Sequence, residues 1–159
     1  MFQKLQKYLE EGNFKLFFKY DGERDKNQYS IVFITKNNVQ DVVSIDTDEP
    51  LKTFFRILDE KKIEIDNNET NELIEKFYNM KQQCIDYFGK KVIFIFTIEV
   101  KGSMQFYISI TKERENWKIT SCYMSEIELY IKNRGEENIC SMAKIILQEN
   151  RETFEELAK

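Results

Sequence analysis

The 159-residue chain contains no histidine, one proline and only five glycines. Without histidine it cannot carry out Ser-His-Asp or Cys-His catalysis, hold a His-ligated zinc ion or bind haem through His. The shortage of glycine and proline excludes a collagen-like chain, a flexible linker and most glycine-rich phosphate loops. The sequence has no apolar run of about 18 residues, so no membrane-spanning helix is predicted.

What is present indicates a globular protein with a substantial core. Hydrophobic residues make up 42% of the chain, charged residues 33% and aromatic residues 14%. This balance differs from that of a disordered or a membrane chain, and the length suits one ordinary domain. We therefore predict a single compact domain over residues 1–159, with two lobes, 1–66 and 67–159, as the alternative.

Hydrophobic periodicity predicts an α+β fold with the element order αβββα-αβββα. The two halves share this order but do not align residue by residue, so no repeat is inferred. Hairpin-connected strands are expected to form antiparallel sheets with helices packed on the faces. Helices are predicted near 2–11, 48–62, 69–88 and 136–157, and strands near 14–20, 29–36, 39–46, 91–101, 104–110 and 117–131, the last with a break near Ser125.

Two features complete this prediction. The paired asparagines Asn37-Asn38 tolerate the positive φ of a tight hairpin turn. In the last helix, which is expected to follow Gly135, an apolar stripe is predicted to face the core. Its first members are Ile139, Met142, Ala143 and Ile146.

Charge is distributed unevenly along a chain whose formal net charge is −4. Residues 41–75 contain eleven acids and four bases, a net charge of −7. Such a segment disfavours binding to nucleic-acid phosphates, which requires clustered Lys and Arg. It favours docking on a basic protein, because complementary fields steer the encounter.

The three cysteines, Cys84, Cys122 and Cys140, are an odd number without CxxC spacing. No secretory signal is recognised at the start of the sequence. We therefore expect a cytoplasmic protein whose thiols are reduced and mostly buried.

One apolar strand ends in a string with possible chemistry, Thr97-Ile98-Glu99-Val100-Lys101. Period-2 geometry places Glu99 and Lys101 on one side of the strand. This Glu-x-Lys ending resembles the core of the PD-(D/E)xK nuclease family. The resemblance implies that Glu99 helps to hold Mg²⁺ and that Lys101 activates the attacking water. The family's second metal-binding acid should lie on a preceding strand, whereas a long helix precedes this one and its nearest acid is Asp86.

A second acidic string, Asp46-Thr47-Asp48-Glu49, offers oxygen ligands suited to Mg²⁺ or Ca²⁺. The following Pro50 favours another explanation, in which Thr47 or Asp48 caps a helix that begins there. No metal ion or other cofactor is therefore predicted.

The leading hypothesis is a non-enzymatic inhibitor that occludes a basic site on another protein, such as a nuclease. An immunity protein that neutralises a toxin and an anti-CRISPR-type protein of a phage or plasmid are two such inhibitors. The alternatives are a Mg²⁺-dependent nuclease centred on Glu99 and Lys101, and a structural subunit of a phage or bacterial assembly. Direct contact with nucleic acid or membrane is not expected, and the oligomeric state is left open. The predicted binding residues are Asp41, Asp46, Asp48, Glu49, Asp59, Glu60, Glu64 and Asp66.

Overall fold

The computed structural model describes residues 2–35 and 43–158. The helices are α1 (Gln3–Glu11), α2 (Pro50–Glu60), α3 (Asn67–Phe88), α4 (Met124–Glu149) and α5 (Arg151–Leu157). The strands are β1 (Phe14–Asp21), β2 (Tyr29–Thr35), β3 (Val43–Thr47), β4 (Ile93–Lys101), β5 (Ser103–Lys112) and β6 (Glu115–Ser121). The predicted α+β fold is confirmed. The predicted turn at Asn37-Asn38 and the predicted binding residue Asp41 lie outside the described residues.

The six described strands form one antiparallel sheet in the order β3-β2-β1-β4-β5-β6. Each half of the chain contributes a three-stranded meander, and the two meanders meet where β1 pairs with β4. In that central pair Phe18 lies opposite Phe96. The strand order therefore reads the same outwards from this pair in both halves of the chain.

Helices cover one face of the sheet, and aromatic contacts attach them to it. The ring of Phe18 on β1 lies 5.1 Å from that of Phe54 on α2 and 5.4 Å from that of Phe77 on α3. Tyr8 on α1 stacks on Phe14 of the same strand face, with ring centroids 5.3 Å apart. Burial of each such phenyl side chain contributes about 1.5–3 kcal/mol. Alternate residues therefore point into the core between the sheet and the helices.

The starts and ends of α2 and α3 follow from local chemistry. Pro50 occupies the first turn of α2, as predicted, because its fixed φ suits that position. Capping of α2 by Thr47 or Asp48 was wrong: the capping position is Glu49, whose N–H donates to Thr47 Oγ1. For α3, the Asp66 carboxylate accepts a hydrogen bond from the Asn68 N–H. That helix ends at Gly89, whose φ of 95° suits glycine.

The prediction for residues 124–135 was wrong. No strand continues beyond Ser121, and Gly135 does not precede the last helix but lies inside α4. Alternation of Ile127, Leu129 and Ile131 suggested a strand, but the four-residue spacing of Ile127, Ile131 and Gly135 places all three on one buried helix face. The helix period therefore prevails because this face packs against the body.

The last helical segment also differs from the prediction that its stripe faces the core. Ile139, Met142 and Ile146 are 48%, 46% and 53% exposed. At 1.5 Å per residue, the 26 residues of α4 span about 39 Å, whereas the 11 residues of α2, its counterpart in the first half, span about 16 Å. The second part of α4 therefore extends past the layer that would bury it.

The cysteines are only partly as expected. Cys84 is buried in α3, whereas Cys122 and Cys140 are exposed, so the prediction of mostly buried thiols was wrong. All three are free thiols.

Within residues 2–35 and 43–158, no helix combines the length and the apolar character needed to cross a membrane.

Candidate protein interface

Glu99, the residue of greatest chemical interest in the sequence, lies on the sheet face opposite the helices. It is 1% exposed. Its Oε1 lies 2.8 Å from Lys101 Nζ on the same strand, and its Oε2 lies 3.0 Å from Lys15 Nζ on β1. Lys101 Nζ also donates to the Tyr107 hydroxyl of β5 at 3.2 Å. The cluster therefore connects three neighbouring strands.

The surroundings of Glu99 keep its carboxylate ionised. Burial alone would raise its pKa, but hydrogen bonds from Lys101, Tyr107 and Lys15 outweigh burial and lower the pKa to about 2. A carboxylate held between two ammonium groups is a poor base and has its charge already compensated. Among residues 2–35 and 43–158, no three acidic or cysteine side chains gather at a position where they could hold a metal ion. The arrangement suits an ion pair that fixes the strands.

A second polar network lies on the same face, at the far side of the first meander. Asp21 is bound by Lys19 at 2.9 Å and by Arg24 at 3.2 Å. Arg24 reaches on to Asp46 of β3, at 3.3 Å. A hydrogen bond from Ser30, together with Arg24, lowers the pKa of Asp46 despite some opposing desolvation. Asp46 is therefore paired within the protein.

The other predicted binding residues lie on the helical side of the first half. We define the acidic flank as these six: Asp48, Glu49, Asp59, Glu60, Glu64 and Asp66. Asp48 and Glu49 precede α2, Asp59 and Glu60 end it, and Glu64 and Asp66 lie in the segment that leads to α3. The two ends of α2 are about 16 Å apart. The flank is thus an extended acidic surface. Asp46 is left out of it because Arg24 and Ser30 already bind its carboxylate, although Asp46 lines one surface pocket together with Glu49 at the edge of the sheet.

The carboxylates of the acidic flank differ in how far the protein already uses them. Asp48 accepts a hydrogen bond from the Gln28 N–H, and Asp66 caps α3. Glu49 and Glu60 pair with Lys52 and Arg56 within α2, at 3.2 and 3.8 Å. Such exposed pairs contribute only about 0–1 kcal/mol and can be replaced by a partner.

Asp59 and Glu64 form no ion pair with any described residue and are exposed. Residues 43–75 as a whole contain ten acids and four bases. Asp59 is therefore free to meet cations outside the protein. Glu64 lines a surface pocket with Lys4, Lys7 and Lys62, so lysines of the protein lie near its carboxylate.

Sequence reasoning did not identify the second exposed surface, which lies on α4. We define the arm as residues 136–157, the part of the chain that follows Gly135. Every residue from 139 to 153 is exposed. The largest exposed apolar side chains of α4 within the arm are Ile139, Met142, Ile145, Ile146 and Leu147, each about half exposed. The apolar spacing was visible in the sequence, but its exposure was not.

In comparisons with known protein families, curated proteins and solved structures, nothing matches this chain.

Proposed function

We propose that this protein is a non-enzymatic inhibitor that occludes a basic site on another protein. The observation that carries the proposal is the acidic flank, which presents exposed carboxylates on one side of a rigid helix-covered sheet. Glu49, Asp59, Glu60 and Glu64 are all exposed there. Their side chains have at most a weak surface partner within the protein, so binding a cationic surface breaks only weak ion pairs.

Negative charge of this kind acts on association before contact is made. At physiological salt the Debye length is about 8 Å, so each end of the flank, which spans about 16 Å, acts on an approaching partner mainly through its own carboxylates, such as the neighbouring Asp59 and Glu60. Complementary potentials raise association rates and disfavour acidic competitors. A partner that normally binds nucleic-acid phosphates has the required basic surface. Toxin-neutralising immunity and anti-CRISPR-type inhibition of a nuclease are the two settings that fit.

The geometry around Glu99 favours this proposal over the nuclease alternative. Catalysis by a PD-(D/E)xK-like site would need Glu99 as a metal ligand together with a second acid. Lys15 and Lys101 compensate the charge of Glu99 on both oxygens, at 3.0 and 2.8 Å. Its role in the proposed function is structural, because its ion pairs tie β1 to β4 on the sheet face opposite the helices.

The test is capture of partners from the native host by the full chain, followed by mass spectrometry. The decisive variant, called the flank variant, combines Glu49→Lys, Asp59→Lys, Glu60→Lys and Glu64→Lys. These positions are exposed and lie outside the core. A matched control reverses four exposed acids elsewhere, Glu10, Glu23, Asp25 and Glu115, to Lys.

The proposal expects a basic protein that the wild type and the control retain and that the flank variant loses. The purified pair should then show inhibition of whatever activity the partner has at its basic site. Retention of the same partner by the flank variant would refute the assigned surface. Metal-dependent cleavage of DNA or RNA by the chain itself, abolished in Glu99→Gln, would refute the proposal in favour of the nuclease.

A further inference from the structure

The apolar stripe of the arm is a continuation of the stripe that attaches α4 to the body. In the first part of α4, the buried residues are Ile127, Ile131 and Gly135. Steps of three or four residues then lead to Met142 and Ile146 on the same helix face. Beyond Gly135, Met142 and Ile145 line a surface groove together with residues 112–115 at the β5–β6 turn. The apolar side chains of the stripe remain about half exposed there.

The exposed apolar side chains of the arm indicate a binding surface for another protein. Isolated apolar residues on a surface are normal, but contiguous patches mark interaction sites. Here Ile139, Met142, Ile145 and Ile146 recur at three- and four-residue intervals, each about half exposed. This is the pattern by which an amphipathic helix inserts its apolar face into a groove on another protein.

The charge of the arm indicates the chemistry of that groove. Residues 136–157 contain six acids and two bases, a net charge of −4. One of the bases, Arg151, is already paired with Glu155 at 2.7 Å. The acids lie at the two ends of the stripe, with Glu136 and Glu137 before it and Glu149 and Glu152 after it, and Lys144 is the one charged residue between them. These end carboxylates are complementary to Lys and Arg at the two ends of a groove.

The same charges argue against a second copy of the chain as the occupant. In a parallel pair, each acid of the arm lies beside its own counterpart. In an antiparallel pair centred on Met142, the acids near the two ends, Glu136 and Glu149, meet one another. Either arrangement opposes like charges, which disfavours pairing. An anionic membrane is disfavoured for the same reason.

We propose that the arm is a docking helix, and that its apolar stripe seats in an apolar groove rimmed by Lys and Arg on the inhibited protein. The inference rests on the proposed function in taking that protein to be basic. It adds a second contact surface, separate from the acidic flank, and gives the inhibitor an apolar anchor. Buried apolar anchors carry most of the affinity in such interfaces, while charges mainly supply rate and specificity.

The test uses the full chain and a synthetic amphipathic helical peptide of about three heptads, with Leu at the a and d positions and Lys at e and g. A second peptide carries Glu instead of Lys. The stripe variant is Met142→Gln with Ile146→Gln. Its matched control is Cys140→Gln with Leu147→Gln, which removes two exposed residues from the opposite helix face. Glutamine keeps the helix propensity high in both.

Fluorescence anisotropy of the labelled peptides gives the affinities. We expect the Lys peptide to bind the wild type and the control alike, the stripe variant to bind at least tenfold more weakly, and the Glu peptide not to bind. Equal binding by the stripe variant would overturn the inference. So would a wild-type dimer in sedimentation that the stripe variant abolishes, or stronger binding to phosphatidylserine vesicles than to the Lys peptide.

The flank variant separates this inference from the proposed function. If the stripe variant retains the captured basic partner while the flank variant loses it, the docking inference fails and the proposed function stands. If the stripe variant loses both the peptide and the partner while the flank variant keeps them, the docking inference holds and the surface assigned to the proposed function is wrong.

Discussion

Gly135, in the middle of α4, lies against the ring of Tyr87 near the end of α3. A Cβ atom added to Gly135 would lie 2.1 Å from Tyr87 Cγ, far inside van der Waals contact. Nearby, the Asn138 side chain donates to the Tyr87 carbonyl at 3.0 Å. Together these two contacts attach the middle of α4 to the end of α3, at the point where the arm begins.

The variant Gly135→Ala tests that contact. In an exposed helix the change would stabilise by about 1 kcal/mol, because alanine is the better helix former. Here the Tyr87 ring must move, and overpacking of this kind costs about 1–3 kcal/mol. We expect a net loss in the free energy of unfolding measured with urea. Addition of Tyr87→Ala should reverse the sign of the Gly135→Ala effect, and a stabilised single variant would show that the contact is absent.

A second comparison tests where the α4 stripe leaves the core. Ile131→Gln places an amide in the buried part of the stripe and should cost about 3 kcal/mol or more. Ile146→Gln makes the same change on the same face of the helix, but at a residue that is 53% exposed, and should stay within about 0.5 kcal/mol of the wild type. Thermal unfolding of the two variants checks this. Similar losses for both would mean that the arm is packed against the body.

The Lys15–Glu99 ion pair joins the two halves of the sheet, and its effect depends on pH. The pKa of Glu99 is about 2 in the folded protein against an ordinary value of 4.5, so ionised Glu99 stabilises the fold at neutral pH. That contribution is lost as the pH falls from about 4.5 to about 2. At pH 7, Glu99→Gln should lower the free energy of unfolding by roughly 1–3 kcal/mol.

Denaturant unfolding of wild type and Glu99→Gln at a series of pH values provides the check. The difference in the free energy of unfolding should shrink steadily below pH 4.5. Protonation of Glu99 in the wild type removes the negative charge that Glu99→Gln lacks at every pH. Asp21 and Asp46 also have lowered pKa values and titrate in both proteins, so their contribution cancels in the comparison. A difference that does not vary with pH would contradict the ion-pair account of Glu99.

The three cysteines should differ in reactivity. Burial raises the pKa of the Cys84 thiol, so little thiolate is present and reagents cannot reach it. Cys122 and Cys140 are exposed. A thiol-specific colorimetric reagent should therefore modify two thiols of the native protein quickly and the third only after unfolding in guanidinium. Fast reaction of all three would show that the α3 core is open.

Most of the sheet can be predicted from the sequence, because several residues in each strand repeat the same apolar pattern. Strand β1 alternates in burial along its length, and β4 is apolar on both faces, as a central strand should be. Residues 124–135 were mispredicted because Ile127, Leu129 and Ile131 satisfy the strand period, while Ile127 and Ile131 also satisfy the helix period. The packing of Ile127, Ile131 and Gly135 against residues distant in the sequence decides between the two periods.

The candidate surfaces were less predictable than the fold. Five of the six acidic residues of the flank are exposed, because carboxylates stay in water unless paired, and the sixth, Asp66, is half-buried where it caps α3. The pairing of Asp46 with Arg24 across a loop and the enclosure of Glu99 by Lys15 depend on strand register, which composition does not reveal. Exposure of the arm depends on where the sheet ends beneath α4, and the apolar spacing carries no information about that.

The most direct test of the inhibitor account is the salt dependence of partner affinity, measured by calorimetry with the purified partner, the wild type and the flank variant. The account predicts that wild-type binding weakens more than tenfold between about 0.05 and 0.5 M salt, because screening shortens the reach of the flank carboxylates. The flank variant should bind more weakly at low salt and vary little. The same affinity and the same salt dependence for both proteins would contradict the account.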